Sequence, residues 1–568
     1  MAFIQEPPQL ENQYLSDLLL RSYLKRFLDG ETLKIVEEDL TAFGDRVLGD
    51  IYQWGLEAEE QEPKLVQYDG WGKRVDQIVV SRGWQDLKKV SAEEGLVAIG
   101  YERQFGPLSR LYQFAKLYLF TPSSAIYTCP LAMTDGAARL IEIYGDDFLK
   151  KGAYPKLVSR DPDKFWVSGQ WMTEKTGGSD VGRTETIARK DGDCYRLYGE
   201  KWFTSAMPSE MAMTLARIED EEGNVVPGSR GLSLFYVEVF DQKGSYNQIE
   251  IMGLKDKLGT RALPTAELKL NGTPARLVGT IGRGVAQIAT LFNITRMYNA
   301  CSAVSYMRRT LAYAKDYANR REAFGKLLRD HPLHRETLAR MEVEFQGAFH
   351  LAFYISRLLG KVDTHRASED EVKILRILTP LAKLYTGKQC VAMVSEAIEA
   401  LGGAGYLEPV GIAKYLRDGQ TLAIWEGTTN VLCLDVLRAM TKEQALPPLF
   451  MDIEERLKRI SHPDLIDSRD KALASLGKLI QYTQENLEEE RSFWEGGARG
   501  FAYGLSRVLA ASLLLEHGEW GAENGFPQFL ISAKWWCHQD LAPLVYFTSK
   551  YGEEALVLSS QEEVKIHK

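Results

Sequence analysis

The spacing of apolar positions changes three times along the chain, and each change predicts a different kind of element. Up to about residue 165 the apolar residues recur at helical intervals, broken at Gly106-Pro107 and Thr121-Pro122, which predicts a helical region over residues 1–165. From Trp166 to Gly279 the pattern turns strand-like. Cys194 to Tyr198, Leu232 to Val239 and Ala266 to Leu270 alternate or are rich in β-formers between Gly, Asn and Asp turns, which predicts a β-domain over residues 166–279. Helical spacing returns at Gly284. Leu311, Ala314, Tyr317 and Arg321 share one face, and Val391, Val394, Ile398 and Leu401 form a stripe ending in a left-handed cap at Gly402-Gly403. This predicts a helical domain over residues 280–440. Beyond Thr441 a Leu-Pro-Pro connection opens a fourth, helical block over residues 441–568. Leu473, Leu476, Ile480 and Leu487 form one stripe there, and Phe501, Leu505, Val508 and Leu515 another. The expected fold class is mostly α with a central β-domain.

Composition narrows the function classes. A chain of 568 residues with 45% hydrophobic content can bury several large cores. Its net charge of -9 gives no general attraction to nucleic acid or to an anionic membrane. The C-terminal block is itself acidic, with 14 Lys and Arg against 20 Asp and Glu from Thr441 to Lys568, so nucleic acid is not an expected partner. No apolar run approaches the ~18 residues of a membrane span, Val508 to Leu515 included. Six scattered cysteines without a CxxC pair indicate neither a disulfide framework nor a metal site. The first twenty residues carry acids and no Arg or Lys, and the Val564–Lys568 terminus is not an SKL-type address; the expected location is the cytoplasm.

Two stretches carry candidate chemistry. From Gln170 to Asp180 the chain reads QWMTEKTGGSD, an extended run breaking into Thr176-Gly177-Gly178-Ser179, where glycines let the backbone approach a ligand and expose its N–H groups. From Ile424 to Asn430 it reads IWEGTTN. Glu426 follows an apolar wall of Leu422, Ala423, Ile424 and Trp425, where desolvation raises a carboxyl pKa toward that of a general base. Read alone, the first is also an ordinary turn and the second a charge at a helix start.

Taken in order, six segments resemble those of the acyl-CoA dehydrogenase family over roughly residues 90 to 440. They are MTEKTGGSD, GEKWFTSA from Gly199, KLGTRALPTAELKLNG from Lys257, RREAFGKLL from Arg320, EALGGAGYLE from Glu399, and the run from Tyr415 to Arg438 that contains IWEGTTN. The Lys of MTEK, the Trp of IWEG and the long C-terminal block are similar to the AidB-like branch. The resemblance implies an α-domain, a β-barrel or sandwich and a four-helix bundle, followed here by an extra C-terminal helical domain. It also implies FAD as cofactor, an acyl-CoA substrate, a homo-oligomer that is a dimer or dimer of dimers, and an electron-transfer flavoprotein as redox partner.

The site residues follow from the same resemblance, position by position. Gln170, Met172, Thr173, Gly178 and Ser179 would hold the flavin from one side, with Ser179 also near the pantetheine chain. Phe203, Thr204 and Ser205 would cover the other side; the family usually has Trp and Thr at positions 203 and 205, and the exchange keeps an aromatic face and a hydroxyl. The alternative for Trp202-Phe203 is a pair packed into the β-domain core. Arg321 and Phe324, expected three apart on one helix face, would reach a partner's FAD together with His331, Glu399, Gly402 and Gly403 of the glycine loop that includes Gly405. Pro332 stands where many relatives carry Gln, which removes one side-chain contact. Thr428, Thr429 and Asn430 would present helix N-terminal amides to a phosphate. Asn293, Arg296 and Gly427 would meet the substrate, Arg296 as a CoA contact with an internal salt bridge as its alternative. Glu426 is the expected base for α-proton abstraction, with β-hydride passing to the flavin. The alternatives are a flavoprotein that binds or sequesters acyl-CoA with little turnover, an oxidase, and a DNA-associated flavoprotein.

Overall fold

The computed structural model describes residues 5–560; the terminal residues used in the targeting argument lie partly outside this range. Nine helices precede the β-domain among these residues: α1 (Leu18–Phe27), α2 (Gly30–Arg46), α3 (Asp50–Glu60), α4 (Arg82–Glu93), α5 (Ala98–Glu102), α6 (Ser109–Phe120), α7 (Thr128–Tyr144), α8 (Asp147–Lys151) and α9 (Tyr154–Leu157). Asp17, Asp29 and Ser81 start α1, α2 and α4 by accepting a backbone N–H of the first turn. One hairpin interrupts the helices, β1 (Lys64–Tyr68) with β2 (Arg74–Val79), where the helical reading of this region fails. It docks on the β-domain through Asp76, whose carboxylate accepts the Ile251 N–H at 3.0 Å, and Gln67, which donates to the Ile251 carbonyl at 3.0 Å.

The β-domain has seven strands: β3 (Ser168–Trp171), β4 (Ile187–Asp191), β5 (Cys194–Ser205), β6 (Met211–Ile218), β7 (Leu232–Glu238), β8 (Ile249–Leu254) and β9 (Thr265–Val278). Pairing runs β6-β4-β5-β9-β7 and returns to β6, so five strands close into a barrel, with β3 added parallel to β6 and β8 antiparallel to β9. The long strand β5 is not regular. Its register against β9 slips between Lys201 and Thr204, a bulge that turns Lys201 and Thr204 inward and leaves Trp202 and Phe203 facing out.

The bundle consists of α10 (Gly284–Arg320), α11 (Pro332–Asp363), α12 (Glu369–Ala400), α13 (Ala413–Leu422) and α14 (Thr429–Glu443). Helix α12 begins in a capping box between Ser368 and Glu371. From Leu378 to Gly387 it is buried all round, Lys383 included. A short hairpin, β10 (Glu322–Ala323) with β11 (Lys326–Leu327), joins α10 to α11. This corrects the placement of Arg321 and Phe324 on one helix face. Helix α10 ends at Arg320, Arg321 is already extended, and Phe324-Gly325 form a two-residue turn with φ of 50° and 78°. A Phe-Gly pair with both φ positive is a hairpin turn, and that turn signal overrides the helical spacing.

The C-terminal block adds α15 (Leu446–Arg459), α16 (Ile466–Glu485), α17 (Arg491–Glu523), α18 (Gln528–Cys537) and α19 (Ser549–Ser559). Phe501, Leu505, Val508 and Leu515 are all fully buried on α17, as their spacing requires. The other stripe is shifted: Ala472, Leu476, Leu479 and Tyr482 are the buried face of α16, while Leu487 lies beyond the helix end and is exposed. The block shares one continuous apolar core with the N-terminal helices and the bundle. At about 2 kcal/mol per fully buried large side chain, this contact fixes the block firmly. Polar links cross the same seam, among them His517 of α17 with the Ser22 hydroxyl at 3.0 Å and Glu516 of α17 with Arg26 of α1 at 3.5 Å.

Candidate active site

The two chemistry-bearing stretches meet. Gln170, on β3, donates its amide N–H to the Glu426 carboxylate at 3.1 Å across 256 residues of sequence. Around this contact each wall is built for a reason visible in the chain. Met172 is buried, and Thr173 takes part in the fold through its carbonyl, which accepts the Trp202 N–H at 2.9 Å. Glu174 then closes a tight turn with Gly177 and drops its carboxylate into the barrel, where it pairs with fully buried Lys201 at 2.7 Å. Burial alone would raise the Glu174 pKa, but the Lys201 charge and the donors of Glu185 and Thr186 hold it below the ordinary carboxyl value. This buried pair anchors the loop carrying Gly178 and Ser179, both of which are exposed.

Three observations test whether a planar heteroaromatic ring with amide edges fits here. The Gln170 side-chain oxygen is buried and unpartnered among the described residues, an acceptor aimed at nothing in the chain. A Cβ at Gly178 would come within 2.7 Å of the Thr173 hydroxyl, so only glycine leaves that hydroxyl open. The Phe203 ring, carried outward by the bulge, is 50% exposed, which removes the core-packing alternative for it. An unsatisfied acceptor, an open hydroxyl and a bare aromatic face suit a flavin ring. Thr204 differs from expectation in its side chain, which turns inward and donates to the Ala266 carbonyl at 2.7 Å. The Ser205 hydroxyl lies 3.1 Å from that of Thr265.

Glu426 sits in the turn between α13 and α14 with φ of +58°, a left-handed conformation that costs an ordinary L-residue about 1 kcal/mol. Surrounding side chains pin the turn. Asn299 donates to the Leu422 carbonyl at 2.9 Å and accepts from the Trp425 indole. Arg296 donates to the Glu426 carbonyl at 3.2 Å, and Lys383 of α12 to the Gly427 carbonyl at 2.6 Å. Desolvation pushes the Glu426 pKa above its usual value, opposed by the Thr295 hydroxyl, the Arg296 charge, the Gln170 amide and the Lys383 charge. The wall is less uniform than expected, since Ile424 is exposed while Leu422 is buried. Thr428 stands at the N-cap position of α14 without a side-chain capping bond, and Thr429 and Asn430 are in its first turn.

Arg296 takes the alternative role. It forms an ion pair with Asp435 at 2.7 Å, its side chain is only 13% exposed, and Arg376 pairs with the same carboxylate at 2.7 Å. Asn293 is half-buried one turn before Arg296 on α10. Lys383, Asn299, Thr295 and Asp435 are site residues that the sequence reading did not single out. The one available signal was a lysine inside the apolar run from Ile377 to Tyr385.

The remaining candidates lie elsewhere in the subunit. Helices α10 and α12 run in the same direction past the segment 415–427, since Arg296 and Tyr306 meet Glu426 and Tyr415 while Lys383 and Gly387 meet Gly427 and Leu422. From Arg296 to Arg321 the chain climbs about 37 Å, and from Lys383 to Gly402 about 28 Å. Arg321, Phe324, His331, Glu399, Gly402 and Gly403 therefore share the far end of the bundle. There Phe324 is 97% exposed, His331 bonds the Ala323 carbonyl at 2.9 Å, Glu399 is exposed, and Gly402 adopts the left-handed cap with φ of 59°.

Comparison with known proteins matches this architecture segment by segment. Residues 282–441 match the acyl-CoA dehydrogenase C-terminal domain, 169–273 the acyl-CoA dehydrogenase middle domain, 5–164 the adaptive response protein AidB N-terminal domain, and 444–561 the acyl-CoA dehydrogenase 11 C-terminal domain-like family. Acyl-CoA dehydrogenase family member 11 of Caenorhabditis elegans is 43% identical over 95% of this chain and 90% of its own length. The putative acyl-CoA dehydrogenase AidB of Escherichia coli is 30% identical over 78% of this chain and 81% of its own. The crystal structure of C. elegans ACDH-11 in complex with C11-CoA superposes with a TM-score of 0.95 at 41% identity, covering 99% of this chain and 97% of that one. The chain belongs to the acyl-CoA dehydrogenase family of oxidoreductases, in its AidB-like branch.

Proposed function

We propose that this protein dehydrogenates an acyl-CoA at its α and β carbons, with FAD as cofactor and Glu426 as base. The observation that carries the reading is the convergence of Gln170 and Glu426: a desolvated carboxylate lies against the strand that leads into the flavin-type loop. Bound FAD supplies the two-electron acceptor that takes the β-hydride. The chain's own residues do the rest. Glu426 takes the α-proton, for which a raised pKa suits it, and its main-chain N–H polarises the thioester oxygen so that negative charge can develop there. Gln170 and Thr295 steady the carboxylate, while the Thr173 hydroxyl and the Phe203 face would hold the ring. The products are a trans-enoyl thioester, a proton on Glu426 and a reduced cofactor. Electrons then leave to an electron-transfer flavoprotein. Family membership and the C11-CoA complex of a relative 41% identical support acyl-CoA as substrate class.

The protein works as a homo-oligomer, because Arg321, Phe324 and the Gly402 loop stand too far from Thr173 to serve one FAD within a subunit. Anaerobic titration of the purified yellow protein with a chain-length series of saturated acyl-CoAs, C11-CoA included, tests the reading. The flavin should bleach promptly with at least one member. Tight retention of acyl-CoA without bleaching would replace the enzyme by a binding protein, and rapid peroxide formation in air would make it an oxidase.

A further inference from the structure

We propose that Lys383 is a positioning residue: from the buried middle of α12 it holds the Gly427 carbonyl and so keeps Glu426 in its left-handed conformation, with the carboxylate toward Gln170 and the cleft. The inference rests on the dehydrogenase reading above for what the carboxylate does, and on geometry alone for how it is held.

A non-glycine residue at φ +58° followed by Gly427 at φ +105° persists only where its surroundings over-determine it. Three side chains do so here, each gripping a different carbonyl of the turn: Asn299 takes Leu422, Arg296 takes Glu426 and Lys383 takes Gly427. The three are not equivalent. Asn299 is neutral, and Arg296 is permanently charged and matched by Asp435, which is shared with Arg376. Lys383 bonds the turn at 2.6 Å and, among the described residues, has no carboxylate within ion-pairing distance. Its side chain is buried, and burial pushes its pKa down to about 7, with Glu426 pulling it up and Arg296 pushing it down. The charges facing it are thus Glu426 from the turn and Arg296 from α10, with Asp435 of α14 and Arg376 of α12 behind Arg296. Lys383 in turn lowers the Glu426 pKa. It therefore helps hold the turn that carries the carboxylate and is one of four groups that oppose the rise of its pKa.

The two effects separate by substitution in the FAD-loaded protein. Lys383→Met removes donor and charge, Lys383→Gln keeps a donor without charge, and Lys383→Arg keeps both. Flavin content and melting temperature establish that each variant is intact. Infrared titration of the Glu426 carboxyl band, assigned by its loss in Glu426→Gln, reads the charge effect without turnover. Removing the Lys383 charge should move that titration up in both the Met and Gln variants and leave it in place in Arg. Flavin reduction by C11-CoA should slow about 10²-fold in Lys383→Met, as expected for a misplaced base, with affinity for C11-CoA little changed and much of the rate recovered in Lys383→Gln.

An intact Lys383→Met with parental rate and parental titration overturns the proposal, as does a Gln variant as slow as Met. If Lys383→Met does not fold, Lys383→Gln decides: an unmoved carboxyl titration rejects the assignment, and a raised one with a near-parental rate supports it. A parent protein that C11-CoA and its homologues never reduce sinks the dehydrogenase reading, while the infrared titration still decides the role of Lys383.

Discussion

Glu426 carries a conflict between folding and chemistry, and the conflict is measurable. Burial raises its pKa, so folding favours the protonated acid, whereas proton abstraction requires the carboxylate. The stabilising contribution of this group is complete at pH below the ordinary carboxyl value and is lost as pH climbs through the raised one. Flavin reduction should follow the opposite course, rising over that same upper range as the base ionises. Glu426→Gln removes the base and keeps the shape. It should hold FAD and acyl-CoA as the parent does, reduce about 10²- to 10⁴-fold more slowly, and melt at a higher temperature above neutral pH, where the parent buries a charge. Stopped-flow reduction and thermal melting across pH check both halves. A variant that reduces at the parental rate would move the base elsewhere.

At the scale of elements, the loop between β3 and β4 depends on a single buried ion pair. Removing one partner of such a pair leaves the other charge uncompensated and costs about 3–5 kcal/mol, far more than the net worth of the pair itself. Glu174→Ala should therefore destabilise the protein strongly and release FAD, because the loop bearing Gly178 and Ser179 loses its anchor to Lys201. Because the folded-state pKa of Glu174 is depressed, its contribution is present above the ordinary carboxyl value and disappears as pH falls through the lowered one. Calorimetry and flavin release against pH follow both. The same scale shows what a sequence can and cannot reveal. Barrel strands, long helices and the Gly402 cap rest on local periodicity and turn chemistry, so they were legible. The Gln170 and Glu426 stretches could be picked out by motif. The pins that hold Glu426 could not: Asn299 to Leu422, Arg296 to Glu426 and Lys383 to Gly427 bridge 123, 130 and 44 residues, and no local pattern marks either end. The segment RREAFGKLL misleads for the opposite reason, because a helical spacing of Arg321 and Phe324 coincides with a stronger hairpin signal at Phe324-Gly325.

At the scale of the whole molecule, the long parallel helices α10 and α12 separate the expected site into two halves. One end carries Glu426, Gln170, Thr173 and Phe203; the other carries Arg321, the exposed Phe324 and the Gly402-Gly403 loop, about 37 Å further along α10. A single FAD cannot touch both ends of one subunit, but a symmetric pair can bring the far end of each copy to the near end of the other, completing two sites at once. This predicts complementation. Arg321→Ala damages only the far half and Thr173→Val only the near half, so each homo-oligomer should retain FAD poorly. In a mixed dimer, one site collects both defects and the other collects none. Random mixing of equal amounts should therefore restore about one quarter of all sites to parental FAD retention, since half the dimers are mixed and each has one good site. Unfolding and refolding the two variants together, then measuring bound flavin per subunit, checks the number. No recovery on mixing would place Arg321 and Thr173 in the same site of one subunit or remove Arg321 from the cofactor altogether, and the far end of the bundle would need another purpose for its exposed aromatic hairpin.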